Sequence, residues 1–200
     1  MIEIKNLSFQ RGSQRIIDNF SAKLSAGELV LLSGANGSGK STLIELLGGA
    51  LKPSSGNIYF YGRNLEQMSV KEQSEIRSVS PQTRLFPLAF KVNQLLSLLN
   101  ENRRSLFTET IIYHLGLVDL LDSRITQLSK GQEQRVSLAI SLIQEAKFYL
   151  IDEPFSAQDV TSIKNILALL LEIKTEKGVL VVSHNTETLH SHFDRVLELT

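Results

Sequence analysis

The run Gly34-Ala35-Asn36-Gly37-Ser38-Gly39-Lys40-Ser41 constrains this chain more than any other feature. It satisfies G-x-x-x-x-G-K-[ST] and lies between an apolar run at 29–32 and a helical pattern that begins at Thr42. The glycines permit positive φ, so backbone N–H groups can turn inward around phosphate oxygens. The helix that follows aims its partial positive end at the same anion. Lys40 is then placed to reach β and γ phosphates, and the Ser41 hydroxyl to ligate Mg²⁺.

Such a loop needs a strand before it and a helix after it, and the rest of the chain supplies more of both. Unbroken apolar runs at 29–32, 148–151 and 179–182 predict strands covered on both faces, as in a largely parallel sheet. Ile2, Ile4 and the stretch 58–61 have the look of edge or antiparallel strands, which predicts an added β layer. Helical patterns occupy 42–51, 92–99, 108–115, 132–144 and 163–173, the first closed by Gly48 and Gly49 and the last by Gly178. From about 85 to 141 strand signals fade and helices dominate. The expected organisation is one domain over 1–200, with an α/β core at about 1–84 and 142–200 and a helical subdomain at about 85–141.

Composition narrows the function. Lys plus Arg and Asp plus Glu number 21 each, so no basic excess exists to attract nucleic acid or anionic lipid. The chain has no Cys, which removes disulfides, zinc-thiolate sites and thiol catalysis. No apolar run reaches the roughly 18 residues of a spanning helix, and Met1 to Asn6 lacks the pattern of a signal peptide, so a soluble cytosolic chain is expected.

A second candidate element is the apolar strand 148–151 ending in Asp152 and Glu153. Neighbouring carboxylates at a strand end face different surroundings and can take different jobs. Asp152 suits Mg²⁺, and Glu153 suits a general base or water-polarising group acting at a γ-phosphorus. Further along, Ser129 and Gln132 have capping-box spacing, so a helix that starts there has an N-terminal end able to receive an anion.

Four further stretches complete a pattern that resembles the nucleotide-binding subunit of ATP-binding cassette (ABC) transporters over nearly the whole chain. Leu128-Ser129-Lys130-Gly131-Gln132 is similar to the family signature Leu-Ser-Gly-Gly-Gln. Gln82 after Val79-Ser80-Pro81 resembles the glutamine loop, Ser156-Ala157-Gln158-Asp159 the loop after the second phosphate-site element, and His184 the switch histidine. The resemblance implies an α/β P-loop NTPase (RecA-like) core with a mainly parallel sheet, an antiparallel β layer and a helical subdomain. It implies ATP and Mg²⁺ as cofactors, with Glu153, His184, Gln82 and Lys40 in catalysis and Ser41, Gln82 and Asp152 at the metal. It extends the nucleotide contacts from residues 34–41 to Thr42, Arg11, Ser129, Gly131 and Gln132. Ser129 and its neighbours would meet the γ-phosphate held by a second subunit, so two chains enclose two ATP molecules.

The implied partners are a second copy or a homologous ATPase subunit and an integral membrane transporter subunit, with no nucleic acid. The implied place is the cytoplasmic face of the cell membrane. In the family the neighbourhood of Leu85-Phe86-Pro87-Leu88-Ala89-Phe90 grips a helix of the membrane subunit; as residues alone, the stretch equally suits the core of the helical subdomain. The competing reading is a soluble ABC-type ATPase acting on nucleic acid or ribosomes. Lys40 and Ser129 lie in one short chain with no heptads between them, and there is one cassette, which disfavours both forms of it.

The chain also departs from the family pattern. Lys130 replaces a signature glycine and either adds a cation at the triphosphate or points into solvent. Gln158 replaces the usual Leu beside Asp159, at a contact between subunits. Arg11 stands where most members stack an aromatic ring on adenine, with Phe9 nearby; a guanidinium stacks on a base, so weak discrimination between ATP and GTP is expected. The short chain, residues 152–157 and Arg11 resemble the haem-exporter ATPase of cytochrome c maturation. His114, His190 and His192 fall in helical or polar stretches and are expected at the surface.

Overall fold

The unbroken apolar runs form strands buried on both faces. The computed structural model describes residues 1–82, 84, 86, 90–98, 106–184 and 189–199. Its parallel sheet contains β3 (Leu29–Ser33), β6 (Arg77–Ser80), β7 (Phe148–Asp152), β8 (Gly178–Val182) and β9 (Arg195–Glu198), in the order β6-β7-β8-β3-β9. An antiparallel sheet contains β1 (Ile2–Arg11), β2 (Gln14–Leu24), β4 (Ser55–Phe60) and β5 (Arg63–Asn64), in the order β2-β1-β4-β5. Six α-helices are described: α1 (Lys40–Leu47), α2 (Val70–Ile76), α3 (Val92–Leu98), α4 (Leu106–His114), α5 (Lys130–Ile143) and α6 (Val160–Ile173).

Alternation along the parallel strands divides the interior in two. Leu29, Leu31, Tyr149, Ile151, Val179 and Val181 join a core with α3, α4, α5 and α6. Val30, Leu32, Phe148, Leu150, Leu180 and Val182 join the other, with α1 and the antiparallel sheet. Each fully buried Val, Leu, Ile or Phe contributes roughly 1.5–3 kcal/mol relative to exposure, so both coverings are needed to hold these strands. Tyr149 enters the first core with its hydroxyl satisfied by donating to the Leu142 carbonyl at 3.1 Å. Burial there pushes its phenol up to about 12.

Helix starts follow their caps. Ser129 caps α5 with a capping box closed by Gln132, and Asp159 caps α6 by accepting from the Ser162 N–H at 2.8 Å. Both helices begin earlier than their apolar periodicity predicted, because the first turn carries polar residues.

One local expectation needs correction. Gly178 does not close α6, which ends at Lys174 as C-cap; it opens β8, where a Cβ would stand 2.4 Å from the Phe148 ring. Strands β1 and β4 are antiparallel, as expected, and pair with each other at the centre of their sheet. The strand-poor stretch between β6 and β7 carries α3, α4 and α5. Leu85, Pro87, Leu88 and Ala89 of the expected groove, and Leu99 of a predicted helix, lie outside the described residues. Among the described residues no helix is long and apolar enough to cross a membrane.

Candidate nucleotide site

Strands β3, β7 and β8 are parallel, so their C-terminal ends share one edge of the sheet, where α/β proteins place ligands. All three chain segments leaving that edge carry candidate residues.

The loop from β3 to α1 is shaped by its glycines. Gly34 has φ 155°, and a Cβ there would stand 2.5 Å from the Leu199 carbonyl oxygen and 2.8 Å from Ser38 Oγ. Gly39, the N-cap of α1, has φ 97°, and its Cβ would meet Ile16 of β2 at 3.0 Å. The antiparallel sheet thus backs the loop at Gly39, and the Leu199 carbonyl crowds it at Gly34. No side chain caps α1, so its first-turn N–H groups face the loop, as an anion requires. Lys40 is buried, and its Nζ donates to the carbonyls of Gly34 at 2.8 Å and Ala35 at 2.9 Å. The ammonium is therefore held inside the curve of the loop. Asn36 and Gly37 lie in the exposed part of the loop, and Ser41 and Thr42 follow in the first turn of α1.

Asp152 and Glu153 are both buried, each 6% exposed. Burial pushes the Asp152 carboxyl above the usual carboxylate range; a hydrogen bond from Ser41 opposes this, the Glu153 charge adds to it, and Lys40 opposes it again. Asp152 Oδ1 has no hydrogen-bond partner although it is buried. An unsatisfied carboxylate oxygen beside the Ser41 hydroxyl is the hard-oxygen donor set that Mg²⁺ takes together with nucleotide phosphates.

Glu153 has a left-handed backbone, φ 54°, which costs a non-glycine residue on the order of 1–2 kcal/mol. Three hydrogen bonds hold it there. Its N–H donates to the Val182 carbonyl at 2.9 Å, and its carbonyl accepts from the Ser156 N–H at 3.2 Å and from the Gln134 side chain. The turn brings Glu153 Oε1 to 2.6 Å from His184 Nδ1, just beyond β8. At this distance the two atoms share one proton, whose seat depends on the imidazole tautomer. The His184 side chain is 48% exposed against 8% for Glu153, so the pair runs from the interior to the surface.

The remaining candidates lie around this centre. Ser129 Oγ accepts from the Gln132 N–H at 3.3 Å, and Gln132 Oε1 accepts from the Ser129 N–H at 2.8 Å. Gly131 lies close to the loop after Glu153: a Cβ there would stand 2.5 Å from the Ala157 carbonyl oxygen. Among the described residues no hydrogen bond or ion pair joins 129–132 to 34–42. Lys130 is exposed. Gln82 is exposed and lines a cavity of about 80 Å³ with Arg84, Gln134, Ser137 and Ser156; no described hydrogen bond brings it to Asp152. Arg11 is 66% exposed, with Nη2 3.8 Å from Glu45 Oε2 of α1. Phe9 is 9% exposed and belongs to the core. His190 and His192 are exposed in a 3₁₀ turn, and His114 Nε2 lies 3.9 Å from Glu172 Oε2.

Gln134 escaped sequence reasoning. Its only sequence signal is its place three residues after Gly131, on the same face of α5.

Comparisons with known proteins agree with this geometry. The family model described as ABC transporter matches residues 17–156. The macrolide export ATP-binding/permease protein of Shewanella sp. is 34% identical over 212 residues, which cover 96% of this chain and 31% of that protein. The phosphonates import ATP-binding protein of Nostoc sp. is 32% identical over 220 residues, covering 99% of this chain and 83% of that one. The solved structure of an ATP binding subunit of an ABC transporter matches with TM-score 0.88 and 26% identity, covering 100% of this chain and 85% of that chain. The chain spans 31% to 37% of the length of some curated relatives and 82% to 83% of others. The matched stretch contains the phosphate loop, the Asp152-Glu153 strand end and the capped turn at Ser129, and the chain belongs to the ABC transporter family, as its ATP-binding cassette.

Proposed function

We propose that this chain binds and hydrolyses ATP as the motor subunit of an ABC transporter, acting as a dimer on a separate membrane subunit. The observation that carries this reading is the meeting of Lys40, Asp152 and the Glu153–His184 pair at one edge of the parallel sheet. The phosphates lie along residues 34–42, with backbone N–H groups and Lys40 supplying positive charge. Ser41 and Asp152 would hold Mg²⁺, with Gln82 approaching from its loop; the ion supplies charge neutralisation at the phosphates. Glu153 orients a water and takes its proton as the water oxygen bonds to the γ-phosphorus and the bond to the β-phosphate oxygen breaks, giving ADP and phosphate. His184 holds the Glu153 carboxylate in place through Nδ1.

The turn at Ser129 supports the part of a second chain. Ser129 and Lys130 are exposed at its helix N-terminus, an end that suits the anion of a nucleotide held by another copy. In this reading the helical subdomain, about 85–141, is the face offered to the membrane subunit, and the chain works at the cytoplasmic side of the membrane. Arg11 contacts the base. The test is co-purification: the chain expressed in its own cells should come out of detergent-solubilised membranes with an integral membrane protein and with ATPase activity. Recovery with ribosomes or DNA instead would overturn the transporter reading.

A further inference from the structure

Arg84 is a largely buried cation whose described partners are all neutral. Its Nη2 donates to the Ser141 hydroxyl at 2.9 Å and to the Val79 carbonyl at 3.2 Å, and its Nε is buried with no hydrogen bond. Burial lowers its guanidinium from the ordinary value, and among the described residues no carboxylate pairs with it. A guanidinium keeps its charge in a protein, and a buried charge calls for a partner of opposite sign. Ser137, 3% exposed, has a hydroxyl that is likewise buried with no partner. Arg84 and Ser137 line the same cavity of about 80 Å³. Two orphaned polar groups in one cavity point to an absent ligand that brings acceptor atoms. Water would satisfy the hydrogen bonds but leave the charge uncompensated, and the volume exceeds the roughly 30 Å³ of one water.

The rest of the lining selects among anions. Lys130 adds a second cation and Glu133 a single carboxylate. Arg84, Ser137 and Lys130 donate, whereas an ionised Glu133 only accepts. Hydrogen phosphate meets both demands, because it carries acceptor oxygens and, near neutral pH, a P–OH donor. Sulfate has the same shape and no proton, so Glu133 repels it. We infer that this cavity is an inorganic phosphate site separate from the phosphate loop, in which Arg84 and Ser137 hold the oxygens and Glu133 accepts the P–OH. Gln134, also on the cavity wall, donates to the Glu153 carbonyl, so the site adjoins the turn that carries the hydrolytic carboxylate. Two sources can supply the ion: phosphate in solution and, resting on the proposed ATPase, phosphate released at that carboxylate.

The test is calorimetric titration of the purified full chain with inorganic phosphate at constant ionic strength. The phosphate loop is first filled with a non-hydrolysable ATP analogue and Mg²⁺, so that it cannot take the ion. Wild type should bind one phosphate per chain, and sulfate about tenfold more weakly or worse. Arg84 also ties β6 to α5, so the variants leave it in place. Ser137→Ala should weaken phosphate binding about tenfold or more, with melting temperature at or above wild type, because the hydroxyl it removes has no partner in the protein. Glu133→Gln should bring sulfate to within about threefold of phosphate. No phosphate bound by the loaded wild type, binding unchanged in Ser137→Ala, or sulfate bound by wild type as tightly as phosphate would overturn the site and leave the proposed ATPase standing. Quench-flow beside a phosphate-release assay separates the sources. Release that lags cleavage in wild type but not in Ser137→Ala marks the bound ion as the reaction's product; release that keeps pace in both marks it as drawn from solution. A chain that binds phosphate here and cleaves no ATP would overturn the ATPase and leave the site.

Discussion

Gly131→Ala tests how tightly the Ser129 turn and the Glu153 loop are fitted. The added Cβ would stand 2.5 Å from the Ala157 carbonyl oxygen, whereas ordinary contact begins at 3.4 Å, so the two backbones must part by about 0.9 Å (3.4 − 2.5). Neither side is a flexible side chain. Ala157 itself has a left-handed backbone, φ 56°, and Gly131 is in the first turn of α5, tied through its carbonyl to Gln158. Overpacking of this kind costs about 1–3 kcal/mol. In a chain of 200 residues that lowers the melting temperature by roughly 2–12 °C, at about 2–4 °C per kcal/mol. The larger effect falls on chemistry, because a misplacement of about 1 Å can cost on the order of 10²-fold in rate. Thermal melting and steady-state turnover should show a modestly destabilised protein that turns over about 10²-fold more slowly. Unchanged melting and turnover would mean that the Ala157 carbonyl moves freely, and the fitted junction would be wrong.

Asp152→Asn should raise the melting temperature at neutral pH while removing hydrolysis. Because folding raises the Asp152 carboxyl, its contribution is full below the ordinary carboxylate value of about 4 and is lost as pH rises through the raised value, so the gap between variant and wild type should close on acidification. A gap that is flat with pH in thermal melts would refute this. Arg11 in place of a ring predicts that ATP and GTP bind within about threefold of each other and that Arg11→Ala weakens both alike. An adenine preference above about tenfold that survives Arg11→Ala in titration would exclude Arg11 from the base site; Phe9→Ala is a poor probe, since it excavates the core at about 3–5 kcal/mol.

What the sequence made legible is what local pattern determines. The phosphate loop is readable because its glycines, lysine and serine each answer a local demand, and the central strands because burial on both faces leaves an uninterrupted apolar run. Ser129 as a cap was legible for the same reason. β6 was not: Arg77-Ser78-Val79-Ser80 has little strand character, and its extended form comes from pairing with β7. α2 buries no residue, so apolar periodicity could not find it, although Ser69 and Glu72 spell its capping box. The left-handed backbones of Glu153 and Ala157 and the bonds from Gln134 and Gln158 join segments about twenty or more residues apart. Nothing in the local spacing of those residues announces them.

The central claim is that Glu153 hydrolyses ATP held between two copies of this chain. The most direct measurement is the mass in solution of Glu153→Gln with ATP and Mg²⁺, beside the same variant without nucleotide. Losing the base while keeping the binding residues should trap the enclosed nucleotide, so the 22.3 kDa chain should run at twice that mass with ATP and as a monomer without it. A Glu153→Gln protein that binds ATP but stays monomeric, or that hydrolyses ATP at the wild-type rate, would contradict the account.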